Sequence, residues 1–88
     1  MRIIEVECST AVAEKLWTKH GVEPDEVAEV LLGETRTRRG REGLYHVLGC
    51  TYAGRYLFVV IRDLGGGVAR VVTARDMEPH ERREYRRR

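Results

Sequence analysis

Hydrophobic and polar positions change their spacing several times along this chain, and each change predicts a new element. Apolar residues first alternate with acidic ones, which predicts a short strand within Met1 to Cys8. They then recur four residues apart, which predicts a helix from about Thr10 to His20. A second apolar stripe between Pro24 and Gly33 predicts a second helix, because proline can open a helix and glycine can end one.

The second half of the chain has the spacing of strands. The segment Glu34 to Gly43 is polar, and its start could be an edge strand while its end could be a mobile loop. Three strand patterns follow, separated by glycine-containing hairpin turns: Leu44 to Thr51, Tyr56 to Arg62 and Val68 to Arg75. The middle strand is apolar on both faces, which is typical of a central strand. Pro79 can open a short final helix.

This order of elements predicts an α+β fold. We expect two N-terminal helices packed on one face of a mainly antiparallel sheet of about four strands, followed by a short C-terminal helix. The opposite face of the sheet must then be partly covered or used. A length of 88 residues, with no internal repeat and no break in composition, predicts a single domain over residues 1–88.

Composition narrows the setting in which the protein works. No apolar run reaches the roughly 18 residues of a membrane helix, and the N-terminus has no signal-like pattern, so we expect a cytoplasmic protein. Cys8 and Cys50 have neither Cys-x-x-Cys nor metal-ligand spacing, and we expect two buried, reduced thiols. The three glycines at 65–67 lead into a strand, so a hairpin turn is favoured over a phosphate loop.

The formal net charge of +2 hides an uneven distribution. Residues 1–33 contain three basic and seven acidic side chains, whereas residues 34–88 contain thirteen basic and seven acidic ones. A basic half suggests a polyanionic partner, although an arginine-rich solvated face would give the same pattern.

Arginine is the main chemical resource of this basic half. Guanidinium groups bind phosphate through two parallel hydrogen bonds, so they are suited to stabilising a phosphoryl transition state. Because they stay charged, they are poorly suited to proton transfer. Proton transfer would need Tyr85, Glu81, Lys19 or a histidine. His20, His46 and His80 are scattered, without metal-site spacing, and favour structural or solvated roles. RNA supplies its own 2′-hydroxyl nucleophile, so these residues could support a ribonuclease that needs no metal or cofactor.

Several short segments occur in the order found in one family. They are Lys19 to Val22, Tyr45 with Leu48 and Gly49, Gly54 to Val60, Arg70 to Arg75, and Glu81 to Tyr85. Each segment is short, but the ordered set resembles the BrnT-like branch of the RelE-type ribonuclease toxins.

The resemblance implies a RelE-like fold and a function. It implies the toxin of a type II toxin–antitoxin system: a metal-independent endoribonuclease that cleaves RNA and inhibits translation, with no cofactor. The partner implied is a small DNA-binding antitoxin of the ribbon-helix-helix type. The apolar central strand and an open sheet edge would also permit a homodimer.

The resemblance also implies roles for particular residues. Arg55 and Arg75 are expected to bind the phosphate and the transition state, and Tyr85 or Glu81 to provide stacking or proton transfer. The further positions expected to contact RNA or its phosphates are Lys19, Arg70 and Arg82.

One position differs from the family pattern, and this difference is the reason to consider a second function. Leu44 stands where the family commonly has an arginine, and Arg41 or Arg62 would have to replace it. The alternative is a non-catalytic RNA- or protein-binding module of the same fold, a degenerate toxin.

The individual site residues also have structural interpretations. Arg55 could belong only to a turn after Gly54, and Tyr85 could be a lid over the core. Arg75 could be an ion-pair partner of Glu78 or Glu81.

Overall fold

The helices and strands follow the order that the sequence pattern predicts. The computed structural model describes residues 1–87. Its elements are β1 (Glu5–Glu7), α1 (Thr10–His20), α2 (Pro24–Leu32), β2 (Thr35–Arg39), β3 (Leu44–Cys50), β4 (Tyr56–Gly65), β5 (Val68–Asp76) and α3 (Pro79–Arg86). The predicted α+β class is confirmed, and so are both N-terminal helices.

The sheet has five strands in the order β1-β5-β4-β3-β2, one more than the expected number of about four. Strands β2 to β5 pair antiparallel with their chain neighbours. The short β1 joins the other edge in parallel with β5, placing Glu5 opposite Val68. The polar β2 forms the second edge, and four of its five residues are exposed. Because almost all of its side chains are exposed, β2 lacks the apolar–polar alternation that marks a half-buried strand in the sequence.

Local chemistry determines where the two N-terminal helices begin and end. The Ser9 hydroxyl accepts a hydrogen bond from the Val12 N–H at 3.1 Å and so caps the start of α1. Gly21, at a φ of 61°, ends α1 in the left-handed conformation. At the start of α2, the Glu26 side chain accepts a hydrogen bond from the Glu23 N–H at 3.0 Å, as part of a capping box.

The core lies between the sheet and helices α1 and α2. Alternate residues of β4 point into it, and Leu57, Val59 and Ile61 are fully buried. They pack against apolar residues of the helices, including Leu16 and Val27. The prediction that this strand is central is confirmed, since β4 is third of five in the sheet.

The opposite face of the sheet is the one that α3 packs against, and we call it the α3 face. On β3 and β4 it carries His46, Leu48, Phe58 and Val60. Leu48 and Val60 are buried, and α3 reaches this face through contacts of its Glu81 and Tyr85. The face is therefore only partly covered, which leaves room for a site.

Smaller expectations from the sequence have mixed outcomes. Both glycine-containing hairpin turns are present, and residues 65–67 all have positive φ angles. Cys8 and Cys50 are free thiols, but each is only partly buried, so the expectation of full burial is wrong. Within residues 1–87, none of the helices is long and apolar enough to cross a membrane.

Close packing of α2 on the sheet depends on Gly49. A Cβ atom at this position would lie 2.6 Å from Cγ1 of Val30, a buried residue of α2. We predict that Gly49→Ala lowers the free energy of unfolding by about 1–3 kcal/mol, because the helix must shift to admit the methyl group. Urea denaturation measures this change. Tyr52→Ala, at a side chain that is 86% exposed, is the control and should change stability by less than about 0.5 kcal/mol. Equal stability of the Gly49 variant and the wild type would contradict the close packing.

Candidate functional site

A cavity of about 250 Å³ opens on the α3 face, between strands β2 to β4 and helix α3. Its floor is apolar and its walls combine imidazole, guanidinium and carboxylate groups. The lining residues are Arg36, Thr37, Arg38, His46, Leu48, Phe58, His80, Glu81 and Glu84. We call this space the α3-face cavity. Groups that transfer protons and groups that hold anions meet here, as an active site requires.

The His46 side chain is held from two sides. Its ring lies 5.2 Å from the Phe58 ring, at an interplanar angle of 58°. A Cβ atom at Gly40 would lie only 2.7 Å from His46 Nε2, so only glycine allows this second close approach. Arg38 lies directly opposite His46 on β2. From sequence alone, His46 is expected to have a structural or solvated role, because local pattern does not show the register that brings β2 and Gly40 near the ring.

His80 enters the α3-face cavity from the first turn of α3. Its Nδ1 atom lies 3.6 Å from a carboxylate oxygen of Glu78, and its side chain is 63% exposed. Glu78, His80 and Glu81 bring three potential metal-ligand atoms within 4.8 Å of one another. Glu81 is already paired with an arginine, however, and exposed acidic groups often come together without a metal.

The pair of Arg75 and Glu81 joins the sheet to α3. Two guanidinium nitrogens of Arg75 donate to the two carboxylate oxygens of Glu81, each at 2.9 Å. The guanidinium carbon lies 4.2 Å from the centre of the Phe58 ring. The structural interpretation of Arg75 as an ion-pair partner of Glu81 is thus confirmed, and the pair lies beside the α3-face cavity.

Glu81 is nearly buried, with 7% of its surface exposed. Burial alone would raise the pKa of its carboxyl group. The hydrogen bonds from Arg75 and from the Glu78 N–H, the latter at 2.8 Å, favour the charged form, so the net effect is a lowered pKa. Glu81 is therefore ionised at neutral pH.

Arg55 lies outside the α3-face cavity and is surrounded by oxygen atoms of the protein. Its guanidinium group donates to both carboxylate oxygens of Asp76, at 2.7 and 3.2 Å, and to Glu26 at 3.1 Å. It also donates to the backbone carbonyls of His20 and Gly21 at 3.2 and 2.8 Å. The hydrogen bonds from Arg55 lower the pKa of Asp76. All five guanidinium N–H groups have protein acceptors, which favours a structural role; the phosphate contact of Arg55 stays a prediction.

Tyr85 connects α3 to the edge strand and its flanking residue. Its hydroxyl donates to the Glu34 carbonyl at 3.3 Å, and its own carbonyl accepts from Arg36 Nε at 3.2 Å. The ring packs edge-on against Tyr56, with centroids 6.0 Å apart. Burial raises the pKa of the Tyr85 hydroxyl, so this group is a poor acid at neutral pH.

The remaining predicted residues are dispersed. Arg70 pairs with Glu7 at 3.3 Å, and Arg82 lies over the Tyr56 ring at 5.0 Å. Lys19 lines a separate cavity beside α1. Of the residues expected from the sequence, the structure thus places Glu81 in the α3-face cavity, Arg75 beside it, and the others elsewhere.

Comparison with known proteins shows similarity of fold but not of sequence family. No protein-family model matches the chain, and no curated protein matches its sequence. The architecture, with two helices on one face of the sheet and a C-terminal helix on the other, does have a match among solved structures. One solved structure that this chain is similar to is the ribonuclease toxin BrnT of Brucella abortus. The TM-score is 0.72 at 12% identity, and the match covers 85% of this chain and 97% of that chain. The BrnT-like fold expected from the resemblance is therefore confirmed.

The Arg75–Glu81 pair should control stability in acid. Because the pKa of Glu81 is lowered in the folded protein, its contribution is present above the ordinary carboxyl pKa of about 4 and is lost as the pH falls through the folded value. We predict that Glu81→Gln reduces the free energy of unfolding at pH 7 by about 1–3 kcal/mol and weakens its pH dependence below about pH 4. Urea denaturation across pH measures both effects. Glu14→Gln, at an exposed position, is the control and should unfold like the wild type. If the free energy of unfolding of Glu81→Gln depended on pH in the same way as that of the wild type, the role of the pair would be contradicted.

The position of His46 should depend on Gly40. We predict that Gly40→Ala displaces the His46 ring, because the new methyl group would overlap Nε2. NMR spectroscopy of the imidazole groups tests this: the His46 resonances should shift while those of His20 stay in place. Unchanged His46 resonances in the folded variant would show that the ring is not held by this contact.

Proposed function

We propose that this chain is a ribonuclease toxin that cleaves RNA in the α3-face cavity without a metal ion. The observation that best supports the proposal is the meeting of two imidazoles and a guanidinium with free donors in one cavity, on the fold of a ribonuclease toxin. The groups are His46, His80 and Arg36. They match the three needs of such a reaction: a base, an acid and a cation.

The proposed reaction uses the 2′-hydroxyl of the RNA as the nucleophile. His46 accepts the proton of this hydroxyl while its oxygen forms a bond to the adjacent phosphorus. The bond from phosphorus to the 5′-oxygen breaks, and His80 donates a proton to that oxygen. The products are a 2′,3′-cyclic phosphate and a 5′-hydroxyl. Histidine suits both steps because its ordinary pKa lies near neutrality.

Arg36 is the cation with donors to spare. Its Nε donates to the Tyr85 carbonyl, and within residues 1–87 its two terminal amino groups have no hydrogen-bonded acceptor. Those groups can bind a phosphate in the planar, two-pronged geometry. Arg38, the other arginine of the cavity, already pairs with Glu84. We therefore propose that Arg36 stabilises the negative charge that develops on the oxygens bound to the phosphorus.

In this proposal, several of the site residues predicted from the sequence have different roles. Arg75 and Glu81 stay in the site as a positioning pair, since together they fix the helix that carries His80. Arg55 is assigned to the fold because its donors are occupied. The role of Tyr85 in stacking or proton transfer stays a prediction. The contacts of Lys19, Arg70 and Arg82 with RNA or its phosphates also stay predictions.

Leu44 occupies a position at which the family commonly has an arginine. We propose that Arg62 supplies the missing guanidinium group. Leu44 and Arg62 are paired across β3 and β4, so their side chains share the α3 face. An Arg62 amino group donates to the Glu42 carbonyl at 3.3 Å, which holds the side chain near the end of β3.

A toxin needs a neutralising partner. We propose that a small DNA-binding antitoxin of the ribbon-helix-helix type binds this chain and that free toxin inhibits translation in the cytoplasm. A neighbouring gene for such a protein, and a stable complex after co-expression, would support this part of the proposal.

The alternative is a module that binds RNA or protein without cleavage. The observation that favours it is the occupation of Arg55 and Arg75 by carboxylates, together with Leu44 at the family arginine position. Binding without turnover would then be the whole function.

Cleavage of single-stranded RNA by purified protein separates the two functions. We predict cleavage that persists in EDTA and that falls by about 10²–10⁴-fold in His46→Gln and in His80→Gln, because each variant loses one proton-transfer group. His20→Gln is the matched control and should cleave like the wild type. Strict dependence on added magnesium would contradict the mechanism, and full activity of folded His46→Gln would remove His46 from it. Binding with no cleavage by the wild type would establish the alternative.

A further inference from the structure

A second basic groove adjoins the α3-face cavity. It has a volume of about 670 Å³ and is lined by Glu34, Thr35, Arg36, Tyr85, Arg86 and Arg87. Three of its lining residues are arginines and one is a glutamate, so the groove favours an anion. We call it the C-terminal groove.

Arg36 belongs to both spaces and forms the wall between them. This wall is fixed, because Arg36 Nε donates to the Tyr85 carbonyl at 3.2 Å. Tyr85 is itself held, through its hydroxyl, to the Glu34 carbonyl at 3.3 Å. A ligand that passes Arg36 therefore moves from the proposed cleavage cavity directly into the C-terminal groove.

We propose that the C-terminal groove binds the backbone phosphates of nucleotides that flank the cleaved bond in single-stranded RNA. One strand would cross Arg36 and extend onto Arg86 and Arg87. A polyanion with one charge per nucleotide matches a line of guanidinium groups that runs through two adjoining spaces. The proposal rests on the proposed function for the position of the cleaved bond. The binding that it describes can be measured without cleavage.

The expected consequence is a preference for longer RNA. A dinucleotide can occupy the α3-face cavity, whereas an octanucleotide also reaches the C-terminal groove. Each phosphate contact releases counterions, so the octanucleotide should bind with a steeper dependence on salt.

The test uses 2′-O-methyl RNA, which lacks the nucleophile and is not cleaved. Fluorescence anisotropy gives the affinity of a dinucleotide and an octanucleotide at several salt concentrations. We predict that Arg86→Gln/Arg87→Gln reduces the slope of log affinity against log salt for the octanucleotide by about 1.4, from two contacts at about 0.7 each. Both arginines are exposed at the end of α3, so the variant should stay folded, and circular dichroism verifies this.

The control is Lys15→Gln/Arg83→Gln, which removes the same charge from exposed positions outside the groove. It should leave the octanucleotide slope at the wild-type value. An equal loss of slope in the control, or no loss in Arg86→Gln/Arg87→Gln, would overturn the groove as a binding site. Displacement of the octanucleotide by polyglutamate as effectively as by unlabelled RNA would also overturn it, in favour of an acidic protein segment as the ligand.

The outcomes for the groove and for the proposed function are distinguishable. A wild-type protein that cleaves RNA but shows no groove-dependent slope would contradict the groove alone. A protein that shows the predicted slopes but cleaves no RNA would leave the groove supported and contradict the ribonuclease.

Discussion

The paired hydrogen bonds between Arg75 and Glu81 are the interaction on which the proposed site depends. They attach α3 to the sheet through a nearly buried carboxylate, at 2.9 Å on both sides. With α3 fixed there, His80 faces the α3-face cavity and Tyr85 reaches β2. Removal of one partner would leave the other partly buried and uncompensated, which is costly. The site is thus a product of where one helix is held.

The arginines of this chain divide according to what their donors contact. Arg55 and Arg75 stabilise the fold, the first by joining both helices to the end of β5 and the second by holding α3. Arg36 keeps its terminal amino groups free of acceptors within residues 1–87. A guanidinium already bound to carboxylates and carbonyls is a poor ligand for phosphate, since those bonds would have to break. The cation proposed for catalysis is therefore the arginine of the α3-face cavity that is not paired with a carboxylate within residues 1–87.

The sequence predicted the elements better than the site, for physical reasons. Both N-terminal helices and the central strand β4 follow from local periodicity, which spans neighbouring residues. The cavity depends instead on the register of β2 against β3, which places Arg38 opposite His46, and on the docking of α3. Neither follows from local pattern. The resemblance to known toxins predicted the fold, but it emphasised Arg55, whose donors are used internally. The alternation of His46 with Leu48 on one strand face was the available signal for the cavity.

The most direct test of the central claim is the chemistry of RNA ends after controlled expression in bacteria. Growth should stop when the wild-type chain is induced, and new RNA fragments should carry 5′-hydroxyl and 2′,3′-cyclic phosphate ends. Both effects should disappear with His46→Gln/His80→Gln expressed at the same level. Arrest with 5′-phosphate ends, or equal arrest by the double variant, would contradict cleavage in the α3-face cavity by the 2′-hydroxyl.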